Sequence, residues 1–221
     1  MLPLHRMRQI NLWNRTLGHV PAEVFAEPDV EVLILAGNNL SDVPSAIGTL
    51  QSLRTLDLGH NRLRELPREI GSLVHMDQFL YLHDNELSTL PDSIANLTQL
   101  RYLNVSENLL RELPRAICRL IALVELRASN NMLAAIPSEI GQLRSLRELH
   151  LRNNGLRVLP TSIGDLTSLR HLDLRGNPLE EIPATLFALP RLKKLDVRWV
   201  TTLPSDLPFE RLEAKGCLVY R

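Results

Sequence analysis

Asparagine recurs along this chain at an almost constant interval. Seven asparagines stand 23 or 24 residues apart, and a fixed period of this length indicates a repeat architecture rather than a single folded core. The seven are Asn38, Asn61, Asn85, Asn108, Asn131, Asn154 and Asn177. The chain is therefore expected to fold as a stack of similar units, each of which contacts mainly its neighbours.

The same apolar frame precedes most of these asparagines. It reads Leu-x-x-Leu-x-Leu-x-x-Asn, as at Leu53 to Asn61 and at Leu146 to Asn154. The alternation around Leu56 predicts a short strand, and the three-residue spacing from Pro67 to Leu73 predicts a helical or 3₁₀ turn. Because 47 of the 221 residues are leucine whereas aromatic residues supply only 4%, leucine is the expected core residue of every unit.

A second motif follows each asparagine, with Leu-Pro-x-x-Ile-Gly-x-Leu at Leu159 to Leu166 as an example. In these two motifs the sequence resembles the leucine-rich repeat family over nearly its whole length, and the 23-residue unit looks most like the intracellular Ras-suppressor type, with its plant and bacterial relatives. The resemblance implies an α/β repeat, a curved solenoid with a parallel sheet on its concave face and short helices or 3₁₀ turns on its convex side. It also implies that the seven asparagines form a structural ladder by bonding backbone groups of adjacent coils.

Degenerate copies of the frame stand near both ends of the chain. Met7-x-x-Ile10-x-Leu12 opens the series, and Phe209-x-x-Leu212-x-Ala214 closes it at a shortened spacing. We expect these copies to cap the stack and the whole chain to form about ten strands. The expected divisions of a single domain at 1–221 are an amino-terminal capping repeat at 1–29, regular repeats at 30–191 and carboxyl-terminal capping repeats at 192–221.

One step in the asparagine series is 24 residues instead of 23, so one extra residue must be accommodated before the fourth strand. A slip of one residue exchanges the two faces of a strand. Either Phe79 and Tyr81 or Leu80 and Leu82 therefore face the core. We favour the leucines, because they lead in frame to the next asparagine, and we expect a bulge near Asp77–Gln78.

The charge balance and the cysteines exclude several classes of protein. Lys+Arg equals Asp+Glu at 25 each, so no overall field recruits nucleic acid or an anionic membrane. The sequence contains no uninterrupted apolar stretch as long as that of a signal peptide or a membrane span. Only Cys118 and Cys217 are present, which excludes a disulfide framework, and Cys118 is expected to be a packed thiol. These features predict a cytoplasmic protein, with secretion as an effector without a signal peptide as the alternative.

Function in such a fold has to be sought on the outward positions of the strands. In the amino-terminal half these positions carry apolar side chains, which we predict to bind a protein partner because exposed rigid aromatics commonly anchor interfaces. They are Trp13, Val32, Ile34, Phe79, Tyr81 and Tyr102. The alternative is that one or two of them are buried by the register shift or by a terminal cap.

The carboxyl-terminal half of the same face carries a row of arginines edged by Glu148, Asp173 and Asp196. The row consists of Arg152, Arg175 and Arg198, and Arg127 is a further predicted partner-binding residue on this face. These charges either satisfy one another across strands on a solvated face or bind an acidic segment or phosphate of a partner. Both alternatives stay open at the sequence level.

Motifs for catalysis are absent: the sequence contains no Gly-rich phosphate loop, His-Glu-x-x-His helix, Gly-x-Ser-x-Gly elbow or Cys pair. His150, His171 and Asp173 fall close together and suggest a metal or acid/base site. They are open to solvent, however, and Arg127 and Arg175 would oppose a cation. We therefore expect no catalytic residue, metal, cofactor or small-molecule substrate.

The sequence thus predicts a non-catalytic protein-protein interaction module that binds a protein partner on its concave face, as a monomer. Nucleic acid and membrane are not expected as partners. The family resemblance implies roles in signalling scaffolds, small-GTPase pathways or bacterial effectors. The alternative is a substrate-targeting domain of a larger enzyme or effector, such as a kinase or ubiquitin ligase, whose catalytic domain lies outside this chain.

Overall fold

A single parallel sheet organises residues 8–221, the part of the chain that the computed structural model describes. Ten strands of three residues follow one another in the sheet in the same order as in the chain. They are β1 (Gln9–Asn11), β2 (Val32–Ile34), β3 (Thr55–Asp57), β4 (Phe79–Tyr81), β5 (Tyr102–Asn104), β6 (Glu125–Arg127), β7 (Glu148–His150), β8 (His171–Asp173), β9 (Lys194–Asp196) and β10 (Leu218–Tyr220). The predicted parallel solenoid of about ten strands is confirmed, whereas Met7 and the rest of 1–7 in the expected amino-terminal cap lie outside the described residues.

Short 3₁₀ turns form the opposite side of the solenoid. They are Ala22–Ala26, Ser45–Thr49, Arg68–Ser72, Asp92–Asn96, Arg115–Arg119, Ile140–Gln142, Thr161–Asp165 and Ala184–Ala188. All but the sixth begin directly after a proline, such as Pro67 with φ −65° and ψ 144°. Proline suits this position because its fixed φ begins the turn and its missing N–H has no partner to lose. No helix in residues 8–221 is long and apolar enough to cross a membrane.

The core lies between the sheet and these turns and is made almost entirely of leucine and isoleucine. In the third coil Leu56 and Leu58 enter it from the strand, and Ile70 and Leu73 enter it from the turn, all four with no exposed surface. One continuous cluster joins such residues from Val20 to Cys217. Each buried leucine contributes about 1.5–3 kcal/mol, and it is buried only because the next coil covers it.

Each asparagine of the series links its own coil to the preceding one, as Asn108 illustrates. Its Nδ2 donates to the carbonyl of Leu82 in the preceding coil at 3.0 Å and to that of Val105 in its own coil at 3.1 Å. Its Oδ1 accepts from the backbone N–H of Leu87 at 2.9 Å. A short amide can satisfy both kinds of backbone group at once, so these turns are buried without orphaned peptide groups.

The residue before each asparagine has a left-handed backbone. Gly37 and Gly176 have φ of 71° and 65°, and Asn130 and Asn153 have φ of 54° and 53°. Glycine and asparagine are the residues that adopt this conformation most readily. Glu107 occupies the same position with φ 57°, which shows that the ladder imposes the geometry even on an unfavourable residue.

The extra residue of the 24-residue step is placed as predicted, beside Asp77. Leu80 and Leu82 are fully buried, and Phe79 is 40% exposed. β4 keeps its register with β3 and β5, so the irregularity ends before the strand begins. The carboxylate of Asp77 accepts two hydrogen bonds from Arg54, at 2.8 and 2.7 Å, which anchor the irregular segment to the preceding coil.

The prediction that the last copy of the apolar frame forms a strand is wrong. Phe209, Leu212 and Ala214 do not belong to a strand, because Glu210–Glu213 forms the short α-helix α1. The last strand is instead β10, which pairs with β9 through Leu218↔Lys194. Phe209 and Leu212 are nevertheless buried, since a spacing of three places two apolar residues on one face of a helical turn as well.

Candidate functional site

The open face of the sheet presents the first and third residues of every strand, while the middle residue faces the core. This alternation brings three aromatic rings together on β4 and β5, and we call them the aromatic cluster: Phe79, Tyr81 and Tyr102. Ring centroids are 5.8 Å apart for Phe79–Tyr81, 5.5 Å for Phe79–Tyr102 and 5.0 Å for Tyr81–Tyr102. Burial raises the pKa of both tyrosines, so the hydroxyl groups stay protonated and the cluster is uncharged.

The other predicted apolar residues lie apart from the aromatic cluster. Val32 and Ile34 are half-buried on β2, and Trp13, which follows β1, is 62% exposed. Between them and the cluster runs β3, whose outward residues are Thr55 and Asp57. The amino-terminal half of the face therefore carries two separate apolar areas rather than one.

Two arginines of the predicted row are bound to carboxylates of their own strands. Arg175 donates to Asp173 through Nε at 2.8 Å and Nη2 at 2.5 Å, and Arg198 donates to Asp196 at 3.0 and 2.8 Å. Burial of the two carboxylates opposes their ionisation, but the arginine hydrogen bonds outweigh it and lower the pKa of both. These guanidinium groups are thus held rigidly in place and partly neutralised.

The other two predicted arginines, Arg127 and Arg152, differ from each other. Arg127 is exposed and bonds Glu125 through Nε at 2.5 Å. Arg152 has no carboxylate within ion-pair distance in residues 8–221, and its buried Nε lacks a hydrogen-bond partner. Arg152 therefore differs from the other three in having no carboxylate partner and a buried, unpaired donor.

Trp199, which the sequence reasoning missed, covers this row. Its ring centroid lies 5.4 Å from Cζ of Arg152, 5.8 Å from that of Arg175 and 5.6 Å from that of Arg198, while 62% of the residue is exposed. Stacking of arginine on an aromatic face is favourable and leaves the guanidinium edge free. Its position in the repeat could have indicated this placement. Trp199 stands one residue before the position that asparagine occupies in the other coils, where the backbone is left-handed, with φ 63° at Trp199.

A hollow of about 270 Å³ runs along the open face from His83 to Arg175. Two buried side-chain atoms of the described residues lack a hydrogen-bond partner, Nδ1 of His83 and Nε of Arg152, and both residues line this hollow. Buried polar groups are normally paired. The hollow is consequently the part of the open face where the chain itself leaves two buried donors or acceptors unpaired.

The group of three that suggested acid/base or metal chemistry, His150, His171 and Asp173, lies on the neighbouring strands β7 and β8. The rings of His150 and His171 do meet, with centroids 4.9 Å apart. Asp173, however, is taken by Arg175, and the carboxylate beside the two imidazoles is that of Glu148.

A second charged surface lies outside the open face, along the edge where the strands begin. This groove of about 770 Å³ is lined by five exposed arginines, none of which has an ion pair within the described chain. They are Arg101, Arg144, Arg147, Arg170 and Arg191. A formal net charge of zero conceals this local excess.

The sequence matches two descriptions of repeat families. A model of the leucine-rich repeat region matches residues 68–153 and 137–213, and a leucine rich repeat model matches residues 5–75. No match was found among curated proteins.

Three solved structures are similar to the chain. A leucine-rich repeat protein of Leptospira interrogans has a TM-score of 0.72 and 26% identity, over 96% of this chain and 65% of that one. The leucine-rich repeat domain of the type III effector XopL has a TM-score of 0.79 and 26% sequence identity, over 96% of this chain and 75% of that one. The third is the leucine-rich repeat ectodomain of the Arabidopsis thaliana membrane receptor kinase GASSHO1/SCHENGEN3, in complex with CASPARIAN STRIP INTEGRITY FACTOR 2. It has a TM-score of 0.73 and 29% sequence identity, over 98% of this chain and 30% of that one.

The chain therefore spans less than two thirds of the Leptospira protein and under a third of the receptor ectodomain. Its fold superposes on these structures over 96–98% of its length. With a family match over most of its residues, the chain belongs to the leucine-rich repeat family.

Proposed function

We propose that this chain is a non-catalytic, monomeric module that binds a protein partner on the open face of its sheet. The observation that carries the proposal is the aromatic cluster, three contiguous rings on a face whose other outward residues are mostly polar. Tyrosine and phenylalanine supply large contact area at low cost in conformational entropy, and a few such residues dominate the binding energy of an interface.

The neighbouring arginines would give this surface charge selectivity. Arg175 and Arg198 are already fixed by their aspartates, and Trp199 stacks on the row, so binding would order few side chains. Arg152 and the adjacent hollow would receive an acceptor of the partner, such as a carboxylate. Leucine-rich repeat domains are generally protein-interaction modules, and the receptor ectodomain named above is in complex with CASPARIAN STRIP INTEGRITY FACTOR 2.

A second candidate is the substrate-targeting part of a larger enzyme or effector, for which the same face would select the substrate. The similarity to one domain of a type III effector and to the ectodomain of a receptor kinase favours this possibility. Both candidates use the same surface, so identification of the partner would distinguish them: a ligand that is modified by an attached enzyme indicates targeting, and a stable complex indicates a scaffold.

The test compares partner capture from lysate of the native host by wild type, by a Phe79→Ala/Tyr81→Ala/Tyr102→Ala variant and by a Leu109→Ala/Met132→Ala control. The two control residues are 47% and 46% exposed but lie beyond the asparagines, off the sheet face. We expect a protein identified by mass spectrometry to be lost only with the aromatic variant, and its Kd to rise at least about thirtyfold for that variant, the equivalent of about 2 kcal/mol.

Circular dichroism has to show that each variant is folded. If the triple variant is not, the single change Phe79→Glu at the most exposed ring replaces it. Identical capture by wild type and the aromatic variant, or loss with the control, would show that the aromatic cluster is not the binding surface.

A further inference from the structure

Two histidines and a glutamate converge on the open face, on the neighbouring strands β7 and β8. Glu148 and His150 are the first and third residues of β7, and His171 is the residue of β8 that pairs with Glu148. One potential ligand atom of each lies within 4.8 Å of the ligand atoms of the other two. Adjacent strands of one sheet hold these side chains in nearly fixed relative positions.

We propose that Glu148, His150 and His171 bind a zinc ion. Imidazole nitrogens and a carboxylate oxygen are common ligands of Zn²⁺, and tetrahedral bonds of about 2.0–2.1 Å place two ligands about 3.3 Å apart. The Glu148 carboxylate lies 3.2 Å from Nε2 of His150 and 3.8 Å from Nδ1 of His171. Small rotations of the side chains therefore bring all three into coordination, with solvent or Glu125, 3.8 Å from His150, at the fourth position.

From the sequence alone no metal is expected on this face, because Arg127 and Arg175 would repel a cation. The structure removes that objection. Arg127 is bound to Glu125 and Arg175 to Asp173, so each positive charge is compensated by its own carboxylate. Lys194, which pairs with His171 across β8 and β9, directs its ammonium group over the ring of Tyr220 at 5.3 Å.

The exposure of the donors also suits a metal. The side chain of His150 is only 13% exposed, whereas that of Glu148 is 42% exposed. The ion would thus enter from solvent through the carboxylate and be held by two less mobile rings.

A second histidine pair on the same face shows what the zinc geometry requires. Nε2 of His60 lies 3.2 Å from Nε2 of His83, but Asp84 contacts the opposite nitrogen, Nδ1 of His60, at 2.6 Å. The carboxylate and the second imidazole therefore stand on opposite sides of one ring and cannot share an ion. This pair provides a matched control with two imidazoles and a nearby carboxylate.

The experiment titrates Zn²⁺ into the full chain, freed of any histidine tag, by isothermal calorimetry. The variants are His150→Gln, His171→Gln, Glu148→Gln and the double control His60→Gln/His83→Gln. Wild type and control should each take up one equivalent of Zn²⁺, and each site variant should weaken binding by about tenfold or more. Co²⁺ in place of Zn²⁺ should give the intense visible absorption of a tetrahedral site in wild type and control alone.

The absence of saturable Zn²⁺ uptake in folded wild type would overturn the proposal. So would retention of wild-type affinity in both His150→Gln and His171→Gln, or loss of uptake in the control pair. Because the titration uses Zn²⁺ without a protein ligand, its outcome is independent of whether the aromatic cluster binds a partner.

Discussion

At the scale of single residues, the repeated asparagine does the work of several backbone partners. Asn38 shows the same pattern as Asn108, with Nδ2 donating to Leu12 and Leu35 and Oδ1 accepting from the backbone N–H of Arg15. No other neutral side chain of this length offers two donors and two acceptor sites. The asparagine therefore sets the distance between coils as well as filling the turn.

Replacing Asn108 by alanine is expected to destabilise the protein by roughly 1–3 kcal/mol, because the buried N–H of Leu87 loses its partner. The carbonyls of Leu82 and Val105 each lose one of two asparagine donors and keep Asn85 and Asn131, respectively. Denaturant unfolding followed by circular dichroism measures the change. The exposed Asn96, for which no side-chain hydrogen bond is found in the described residues, supplies the control change Asn96→Ala. Equal midpoints for the two variants would contradict a ladder role for Asn108.

Cys118 is a packed thiol, as predicted. Cys118 and Cys217 are both free and buried, and burial raises the pKa of Cys118 to about 12. At position 118 the sulfur stands where several other coils have the glycine of an Ile-Gly pair. The size of the residue at this position is limited by the contact between neighbouring turns.

At the scale of elements, successive 3₁₀ turns approach so closely that some coils admit no side chain at this position. A Cβ added to Gly71 would lie 2.3 Å from the carbonyl oxygen and 2.6 Å from Cβ of Ser93 in the next turn. The first of these atoms is backbone and cannot move without the whole turn. Ala95 and Cys118 occupy the equivalent position in the next two coils, so the restriction depends on the particular neighbour.

Gly71→Ala is therefore expected to lower stability by about 1–3 kcal/mol, the usual cost of overpacking. Gly155→Ala is the matched control, since its added Cβ meets nothing closer than the carbonyl oxygen of Leu133 at 3.4 Å. That change should leave the thermal midpoint within a few degrees of wild type. Should Gly71→Ala unfold at the same temperature as Gly155→Ala, the close packing of these turns would have to be abandoned as a stabilising feature.

The element boundaries show where sequence reasoning succeeds. The alternation around Leu80 and Leu82 allows two registers, but only one of them leads in frame to the next asparagine. That register, which we favour from the sequence, is the one observed, and it places the aromatic cluster outward. Phe209 and Leu212 misled, because apolar residues three apart fit both the repeat frame and a helical turn. The asparagine that identifies a strand of the repeat in the other coils does not occur at this position, so the sequence does not distinguish the repeat frame from a helical turn there.

Side chains in the turns were harder to predict than those on the strands. The position of Trp199 depends on a left-handed backbone and on three arginines from successive coils, and strand alternation says nothing about either. The pairing of Arg175 with Asp173 within one strand, rather than only across strands, likewise follows from side-chain rotamers. These contacts change which arginine is free, and so they change the candidate site itself.

At the scale of the whole molecule, charge is distributed unevenly although it sums to zero. Carboxylates neutralise three of the four predicted arginines on the open face, whereas the arginines along the strand-start edge have no such partners in the described chain. The edge arginines lie in the connections between turn and strand. The net charge of the sequence does not reveal them, because it also counts acidic residues that lie elsewhere on the molecule. A screened field extends about 8–10 Å at physiological salt, which is far enough for neighbouring edge arginines to act together.

This asymmetry predicts that the protein binds a flexible polyanion despite its neutral net charge. With fluorescent heparin as the probe, Arg147→Glu/Arg170→Glu should weaken binding and reduce the slope of log Kd against log salt by about one per arginine removed. Arg62→Glu/Arg111→Glu makes the same change in net charge at two exposed arginines beyond the asparagines, also without ion pairs among residues 8–221, and should alter the slope less. Equal effects of the two pairs would mean that heparin senses net charge alone, because only a localised groove can distinguish variants of identical charge.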